Sequence, residues 1–183
     1  MEILIPAYAR QAIEILEQNG YSAYTVGGCV RDSLLGKAPH DWDICTDCRP
    51  ENIKEVFHDF RTIDTGIKHG TITVMIDNEL VEITTFRSDG KYENHRKPAQ
   101  VEFVDDLYLD LERRDFTVNA MCCCKGDEII DLFGGQKDLE SRIIRCVGNA
   151  SLRFEEDALR ILRGLRFASV LDFKIHDNTK KAM

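Results

Sequence analysis

The chain has 183 residues, of which 43% are hydrophobic and 31% are charged, a composition typical of a globular protein with one good core. Its formal net charge of −8 excludes a generally basic surface, so any contact with nucleic acid must be a local patch. No apolar run approaches the roughly 20 residues that a membrane span needs, and the N-terminus lacks the pattern of a signal peptide. We therefore expect a cytoplasmic protein without membrane contact.

Seven cysteines are present, and three of them are consecutive at Cys122-Cys123-Cys124. An odd number cannot pair fully within one chain, so we expect reduced and mostly buried thiols. Cys45 and Cys48 have the spacing of half a zinc site, but no second Cys or His pair stands at a matching interval. An alternative of another class is therefore a non-catalytic nucleotide-binding, metal-binding or redox module that uses Cys45, Cys48 and the run of three cysteines.

The first half of the chain alternates between helical and strand patterns. Apolar residues at helical spacing, between Pro6 and Asn19-Gly20, predict a helix over residues 7–18. β-branched and aromatic runs predict strands over 21–26, 42–46, 60–64, 70–76 and 80–87. Further helices are predicted over 30–35 and 50–57, and Asp77-Asn78 predicts a hairpin turn.

The second half contains a polar stretch and then mainly helical patterns. Residues 88–98 have no apolar period and are predicted to form a long surface loop. Helices are predicted over 110–121, 136–141 and 154–171, a turn at 125–127 and a strand over 143–147. The pattern changes after Gly148-Asn149, and residues 177–183 resemble the opening of another helix.

A glycine pair and an aspartate pair carry the first chemical signal. Gly27-Gly28 ends an apolar strand and allows backbone amides to approach a phosphate closely. Asp41 and Asp43 are two residues apart at the entrance of the next strand, so we expect them to share one face. Such a pair suits one or two Mg²⁺ ions that also bind substrate phosphates, although Asp-x-Asp is often only a solvated turn.

Two further groups are candidates for the same site. Glu82, on a neighbouring predicted strand, is a candidate third carboxylate, but the sequence favours the interpretation of a solvent-facing strand residue. Arg113, Arg114 and Asp115 suit a triphosphate and a sugar, because guanidinium groups match phosphate geometry. The alternative is a surface cluster of ion pairs at helical spacing.

A row of charged residues recurs every three positions in the last long helical pattern: Asp157, Arg160, Arg163 and Arg166. The ordinary interpretation is a charged outer face opposite Leu159, Leu162 and Leu165. The functional interpretation is base recognition. Cytosine and adenine both present an exocyclic amine beside an acceptor nitrogen, which suits an accepting Asp157 and a donating Arg160.

Several of these motifs, in this order, resemble class II CCA-adding tRNA nucleotidyltransferases. The resemblance covers nearly the whole chain and rests on Val26 to Gly36 with Asp41-x-Asp43, Thr65 to Thr71, Glu82 to Arg87, Arg113 to Ala120, and Arg153 to Arg160. It implies an α+β fold, with a polymerase-beta-like head (a mixed sheet flanked by helices) over residues 1–148. Residues 149–183 are expected to begin a helical neck, and the body and tail domains of the family are expected to be absent.

The resemblance also implies roles for individual residues. Asp41 and Asp43 are expected to be catalytic and to hold Mg²⁺. The flexible loop of the family is expected to include Arg87, Asp89, Tyr92 and Arg96. The expected nucleotide-binding residues are Gly27, Gly28, Arg31, Arg113, Arg114, Asp115, Asn119, Asp157, Arg160, Arg163 and Arg166.

The implied reaction is the template-independent transfer of CMP and AMP from CTP and ATP to the tRNA 3′ end, with release of pyrophosphate. The tRNA would be held for the most part by the missing domains. Poly(A) polymerases share this head, although they typically carry a more basic sequence at the position of residues 66–70. Enzymes that add only CC or only A remain a further alternative.

Overall fold

The computed structural model describes residues 3–89, 92–93, 97–98, 101–124 and 128–183. The predicted turn at 125–127 and the predicted loop residue Arg96 lie outside the described residues, and only the backbone of Asp89 and Tyr92 is described. Within these ranges, none of the helices has both the length and the apolar character that crossing a bilayer requires.

The described residues contain eight α-helices. They are α1 (Ala7–Gln18), α2 (Gly28–Leu34), α3 (Pro50–Val56), α4 (Leu107–Glu112), α5 (Gly135–Glu140), α6 (Ala150–Glu156), α7 (Leu159–Leu171) and α8 (Asp177–Ala182). The larger strands up to the polar stretch are β1 (Ala23–Val26), β2 (Asp43–Thr46), β3 (Arg61–Ile63), β4 (Thr71–Ile76) and β5 (Glu79–Thr85).

The remaining strands have between two and four residues each. They are β6 (Arg87–Asp89), β7 (Tyr92–Glu93), β8 (Lys97–Pro98), β9 (Val101–Phe103), β10 (Met121–Cys124), β11 (Glu128–Asp131), β12 (Ile143–Ile144) and β13 (Lys174–Ile175). The prediction of an irregular loop over residues 88–98 is wrong where β6, β7 and β8 occur, because β6 pairs with β9 and β7 pairs with β8.

A seven-stranded mixed sheet in the order β11-β10-β1-β2-β5-β4-β3 forms the centre of the structure. Its only parallel ladder in the described residues joins β2 to β5, and the register places Asp43 beside Glu82. The α+β fold class with a mixed sheet is thereby confirmed.

Helix α1 has the bounds that the sequence predicts. Ala9, Ala12, Ile13 and Leu16 are buried, and their spacing of three and four residues places them on one face of the helix. The hairpin turn is also confirmed. Asp77 and Asn78 both have positive φ angles, of 51° and 65°, as the tight two-residue turn between β4 and β5 requires.

The predicted helix over 110–121 is wrong. Helix α4 ends at Glu112, and the chain then becomes extended enough for Phe116 to pair with Cys146. The N–H of Thr117 donates to the carbonyl of Arg145, and that of Val147 donates to the carbonyl of Asp115. These bonds to a distant segment replace the local bonds of a helix, and the predicted strand over 143–147 keeps only Ile143–Ile144 as regular structure.

The predicted single helix over 154–171 is also wrong. Asp157 has an extended backbone, with φ −142° and ψ 104°, between α6 and α7. Its carboxylate accepts a hydrogen bond of 2.9 Å from the N–H of Leu159, as a capping side chain does at the start of a helix. Glu155 and Glu156 therefore lie in the last turn of α6, not in the first turn of a longer helix.

Helix α7 does not bury the face that the ordinary interpretation of its sequence places inside. Leu159, Leu162 and Leu165 are 44%, 62% and 50% exposed, whereas Arg160 is only 6% exposed. The leucines of the ordinary interpretation are therefore not buried, and its outward charged face is wrong for Arg160, although Arg163 and Arg166 are exposed as it predicts. The buried face of α7 consists instead of Arg160, Gly164, Phe167 and Leu171.

The C-terminal segment packs directly on the preceding part of the chain. β13 pairs in parallel with β12, and Phe154, Phe167 and Phe173 belong to the same core cluster as Ile13 and Ile44. This packing places α7 beside the residues that follow α4, where the charged side chains of the two segments meet.

Candidate active site

A cavity of about 510 Å³ lies between the glycine turn, the segment after α4, and α7. Its volume is within the range of sites that hold small molecules. It brings together all eleven predicted nucleotide-binding residues. Its lining consists of Gly27, Gly28, Arg31, Asp43, Arg87, Arg113, Arg114, Asp115, Asn119, Asp157, Arg160, Arg163, Arg166 and Phe167.

Gly27 makes the turn between β1 and α2, with a φ of 80° that side chains other than glycine rarely adopt. A Cβ added at Gly27 would lie 3.3 Å from Nη1 of Arg114. At Gly28 an added Cβ would lie 3.7 Å from Nη2 of Arg31. Gly27 thus leaves room for the Arg114 side chain at the cavity wall, whereas a Cβ at position 28 would make only an ordinary contact.

Asp43 lies at one edge of the cavity, and two further carboxylates, Glu82 and Asp41, are near enough to affect its charge. Asp43 lines the cavity at the start of β2, whereas Asp41 is exposed just before this strand and Glu82 is exposed on β5. Burial, together with the negative charges of Glu82 and Asp41, raises the pKa of Asp43 to about 6, although Arg114 opposes this shift. The raised pKa indicates that the three acidic side chains are electrostatically coupled.

These carboxylates fit a metal ion whose remaining ligands come from water and from the substrate. In the described part of the chain, no group of three or more His, Cys, Asp or Glu side chains is arranged to hold a metal ion. Mg²⁺, however, commonly takes one or two protein carboxylates and completes its shell with water and substrate phosphate oxygens. Asp41 and Asp43 suit this kind of site.

The cysteines do not form such a site in the described residues. All seven are free thiols, and six of them are buried, as expected from the sequence, while Cys124 is partly exposed. Burial raises the pKa of Cys48 to about 12 and that of Cys45 well above its usual value. Neither group is therefore a thiolate at neutral pH, which is the form that binds zinc.

Asp110 is a functional candidate that the sequence analysis missed. Its side chain is 0% exposed and accepts hydrogen bonds from Arg113, at 2.7 Å, and from Arg114, at 3.0 Å. It also accepts the backbone N–H of Arg87 at 3.2 Å. Burial favours a raised pKa, but the charges of Arg114 and Arg113 outweigh it and lower the pKa of Asp110 below its ordinary value.

The interpretation of residues 113–115 as a surface cluster of ion pairs is therefore wrong. The spacing to Asp110 is that of helical pairs, three and four residues, but the shared carboxylate is buried and the two guanidinium groups line the cavity. The sequence pattern that would have identified Asp110 as the shared partner is an aspartate three and four residues before two arginines.

A chain of polar contacts crosses the cavity wall from α2 to α7. Arg31 donates to Asn119 at 2.6 Å, and Asn119 donates to Asp115 at 3.2 Å. Asp115 also accepts from Nε of Arg163 at 2.6 Å. Asp115 is only 7% exposed, so this carboxylate ties α7 to the segment that follows α4.

Arg160 is held rigidly at the same junction. Its guanidinium donates to Glu156 at 2.8 Å and to the backbone carbonyl of Arg113 at 3.0 Å. Asp157 lies close by and uses one carboxylate oxygen to cap α7, while its second oxygen has no hydrogen bond to any described residue. A hydrogen-bond acceptor, Asp157, and a hydrogen-bond donor, Arg160, thus both line the cavity.

Two more residues of the cavity were not predicted to line it. Arg87 was expected in a flexible loop, but it lies on β6 and donates to the carbonyl of His69 at 2.6 Å. Phe167 was not singled out, because an aromatic residue at helical spacing normally indicates only a core position.

Comparison with known proteins identifies relatives of the chain. A family model described as the poly A polymerase head domain matches residues 23–145. The CCA-adding enzyme of Enterococcus faecalis is 50% identical to this chain over 98% of its length. The CCA-adding enzyme of Lactococcus lactis is 52% identical over 96% of its length. The chain spans only 44% of the length of each of these two relatives.

Two solved structures have the same fold. The crystal structure of the Bacillus stearothermophilus CCA-adding enzyme in complex with CTP matches with a TM-score of 0.89 and 44% identity, over 98% of this chain and 43% of that one. The structure of a tRNA nucleotidyltransferase complexed with a primer tRNA and an incoming ATP analog matches with a TM-score of 0.75 and 34% identity. The match covers 93% of this chain and 48% of that one.

The raised pKa of Asp43 predicts that its charge destabilises the fold. In the metal-free protein at pH 7.5, Asp43→Asn should raise the free energy of unfolding by about 1–3 kcal/mol, because the amide is neutral beside Glu82. The pKa of Asp43 is about 6 in the folded protein and lower in the unfolded chain, so folding favours the protonated carboxyl. The free energy of unfolding of the wild type therefore falls as the pH rises through 6. Urea denaturation at pH 7.5 and at pH 4 measures the difference.

Asp41→Asn is the matched control, since Asp41 is exposed and its replacement should change stability by less than about 0.5 kcal/mol. The advantage of Asp43→Asn should disappear at pH 4. A gain of equal size at both pH values would contradict the electrostatic explanation.

Asp110→Asn should destabilise the protein by about 3 kcal/mol or more, because two arginines lose the carboxylate they share in a buried position. Asp105→Asn is the control, since Asp105 is 80% exposed where it pairs with Arg49, and it should cost less than about 1 kcal/mol. Denaturation of both variants in urea tests this difference. Equal losses would show that burial of Asp110 does not matter.

Proposed function

Since the chain belongs to the family of poly A polymerase head domains, we propose that it is the nucleotide-binding and catalytic part of a CCA-adding tRNA nucleotidyltransferase. The observation that carries this proposal is the single cavity in which Asp43, Asp157 and seven arginines meet. Relatives at 50% and 52% identity that are CCA-adding enzymes support this assignment over other reactions of the family.

The reaction joins the RNA 3′ oxygen to the α-phosphorus of CTP or ATP and breaks the bond to the β-phosphate, so that pyrophosphate leaves. We propose that Asp41 and Asp43 hold Mg²⁺, which supplies the positive charge that activates the hydroxyl and neutralises the phosphates. Glu82 contributes a third negative charge beside Asp43, and this raises the cost of leaving the site without a cation.

The arginines of the cavity bind the triphosphate. Arg113 and Arg114 are oriented by Asp110 before any nucleotide arrives, so their side chains lose little freedom on binding. A guanidinium group fits phosphate oxygens in a forked geometry that a lysine does not offer. The glycine turn leaves the space in which the phosphates approach Arg31 and Arg114.

Asp157 and Arg160 select the base. Asp157 accepts from the exocyclic amine of cytosine or adenine, and Arg160 donates to the neighbouring ring nitrogen. Uracil and guanine present a carbonyl and an N–H at these positions, so both contacts become repulsive or unpaired. Because Arg160 is fixed by Glu156 and by the Arg113 carbonyl, the preference requires no nucleic-acid template.

We propose the division of the chain that the sequence suggested, with a head over residues 1–148 and the start of a neck over 149–183. In this division the reaction belongs mainly to the head and the base selection to the neck. The relatives are more than twice as long as the part that this chain matches, and we propose that the acceptor arm of tRNA is held for the most part by those further regions. A tRNA substrate implies a cytoplasmic location.

The test is incorporation into tRNA that ends before CCA. The full-length protein with CTP, ATP and Mg²⁺ should extend it by C, C and A and then stop, as read by sequencing the 3′ ends. Asp41→Ala should lower the rate by at least about a thousandfold while leaving the thermal midpoint unchanged, because the side chain is exposed and contributes little to the core.

A run of A residues instead would identify a poly(A) polymerase, and addition of CC alone or A alone would identify a partial enzyme. Near-normal incorporation by Asp41→Ala would overturn the assignment of this aspartate to the metal. Lys37→Ala, a substitution at an exposed position between α2 and β2, is the control and should leave the rate unchanged.

A further inference from the structure

Phe167 lines the nucleotide cavity from the buried face of α7 and is 7% exposed. Its ring packs against the ring of Phe116 in an edge-to-face arrangement, with 5.9 Å between the ring centres. Packing of this kind fixes the position of the ring, because Phe116 is fully buried. The ring therefore forms a rigid part of the cavity wall.

Three guanidinium groups surround this one ring. The central carbons of Arg31, Arg163 and Arg166 lie 5.2, 5.3 and 5.2 Å from the ring centre. Arg31 comes from α2, and the other two come from α7. The three like charges repel one another, whereas the negative face of an aromatic ring attracts each of them at distances below about 6 Å.

The three arginines differ in their other partners. Arg31 pairs with Asp32 at 2.8 Å, and Arg163 pairs with Asp115 at 2.6 Å. Arg166 has no carboxylate partner among the described residues, and Phe167 is the aromatic group that it contacts. The ring is thus the feature common to all three cations, and for Arg166 it is the main one.

We propose that Phe167 is a positioning residue that holds Arg31, Arg163 and Arg166 together as a site for the polyphosphate of the incoming nucleotide. The inference rests on the proposed function, and it adds a residue that the sequence analysis did not single out. An ordinary core phenylalanine needs only apolar neighbours, but this one has three cations within 5.3 Å of its ring centre, and all three line the same cavity. A polyphosphate is the anion that three closely spaced guanidinium groups match best.

The test replaces Phe167 by phenylalanines carrying one, two and three ring fluorines in the full-length protein. Fluorine withdraws charge from the face of the ring while the size and apolar character change little, so a purely structural role predicts no trend. We expect the dissociation constants of CTP and of inorganic tripolyphosphate to rise stepwise, by about tenfold in total for three fluorines. The affinity for cytidine, which has no phosphate, should stay constant.

The same series at Phe116 is the matched control. Phe116 touches Phe167 and is equally apolar, but in the described residues no cation lies over its ring, so its fluorination should leave both dissociation constants unchanged. Thermal midpoints of all variants show whether the fold is intact. Phe167→Tyr keeps the negative ring face and should retain the wild-type affinity for tripolyphosphate, whereas Phe167→Leu should not.

The outcomes separate this inference from the proposed function. Wild-type binding of both ligands without a fluorine trend at Phe167 would overturn the role of the ring and leave the proposed function standing. Binding of tripolyphosphate with the trend, but no binding of CTP, would support the ring and overturn the proposed function. Failure of the wild type to bind either ligand would overturn both.

Discussion

The carboxylate of Asp110 is fully buried and is shared by Arg113 and Arg114. A buried charge is costly unless it is paired and hydrogen-bonded, so each group of this cluster is fixed by the others. Carboxylates pair in the same way with most of the seven arginines that line the cavity of this chain of net charge −8. Further carboxylates that hold cavity arginines are Asp32, Asp115 and Glu156.

These pairs also join the two parts of the cavity. Asp115 binds Arg163, and the backbone carbonyl of Arg113 binds Arg160. These two contacts fix the position of α7 relative to the segment after α4. The carboxylates at the start of β2 lie on one side of this junction and the proposed base-selecting pair lies on the other. A nucleotide that bridges them would touch both sides at once, and this accounts for the separation of the motifs by more than a hundred residues of sequence.

The sequence predicts those features that local chemistry decides. The bounds of α1 follow from its apolar spacing and its flanking residues, and the positive φ angles at Asp77 and Asn78 follow from the short hairpin. The predicted helix over 110–121 fails because the backbone around Phe116 bonds to a distant strand. Spacing also tells which residues share a face of α7, but only packing decides that Arg160, and not Leu162, faces inward. Phe167 went unnoticed for the same reason, since one of the cations around it, Arg31, comes from another helix. Asp110 is different, because its partners lie three and four residues along the chain, a local signal that the sequence analysis did not use.

The central claim is that this chain itself distinguishes nucleotides, without RNA. Calorimetric titration of the protein with CTP, ATP, UTP and GTP, in the presence of Mg²⁺ and without tRNA, tests it most directly. The account predicts that CTP and ATP bind with dissociation constants at least about tenfold lower than those of UTP and GTP, because only they pair with Asp157 and Arg160. Equal affinities for all four nucleotides would contradict it.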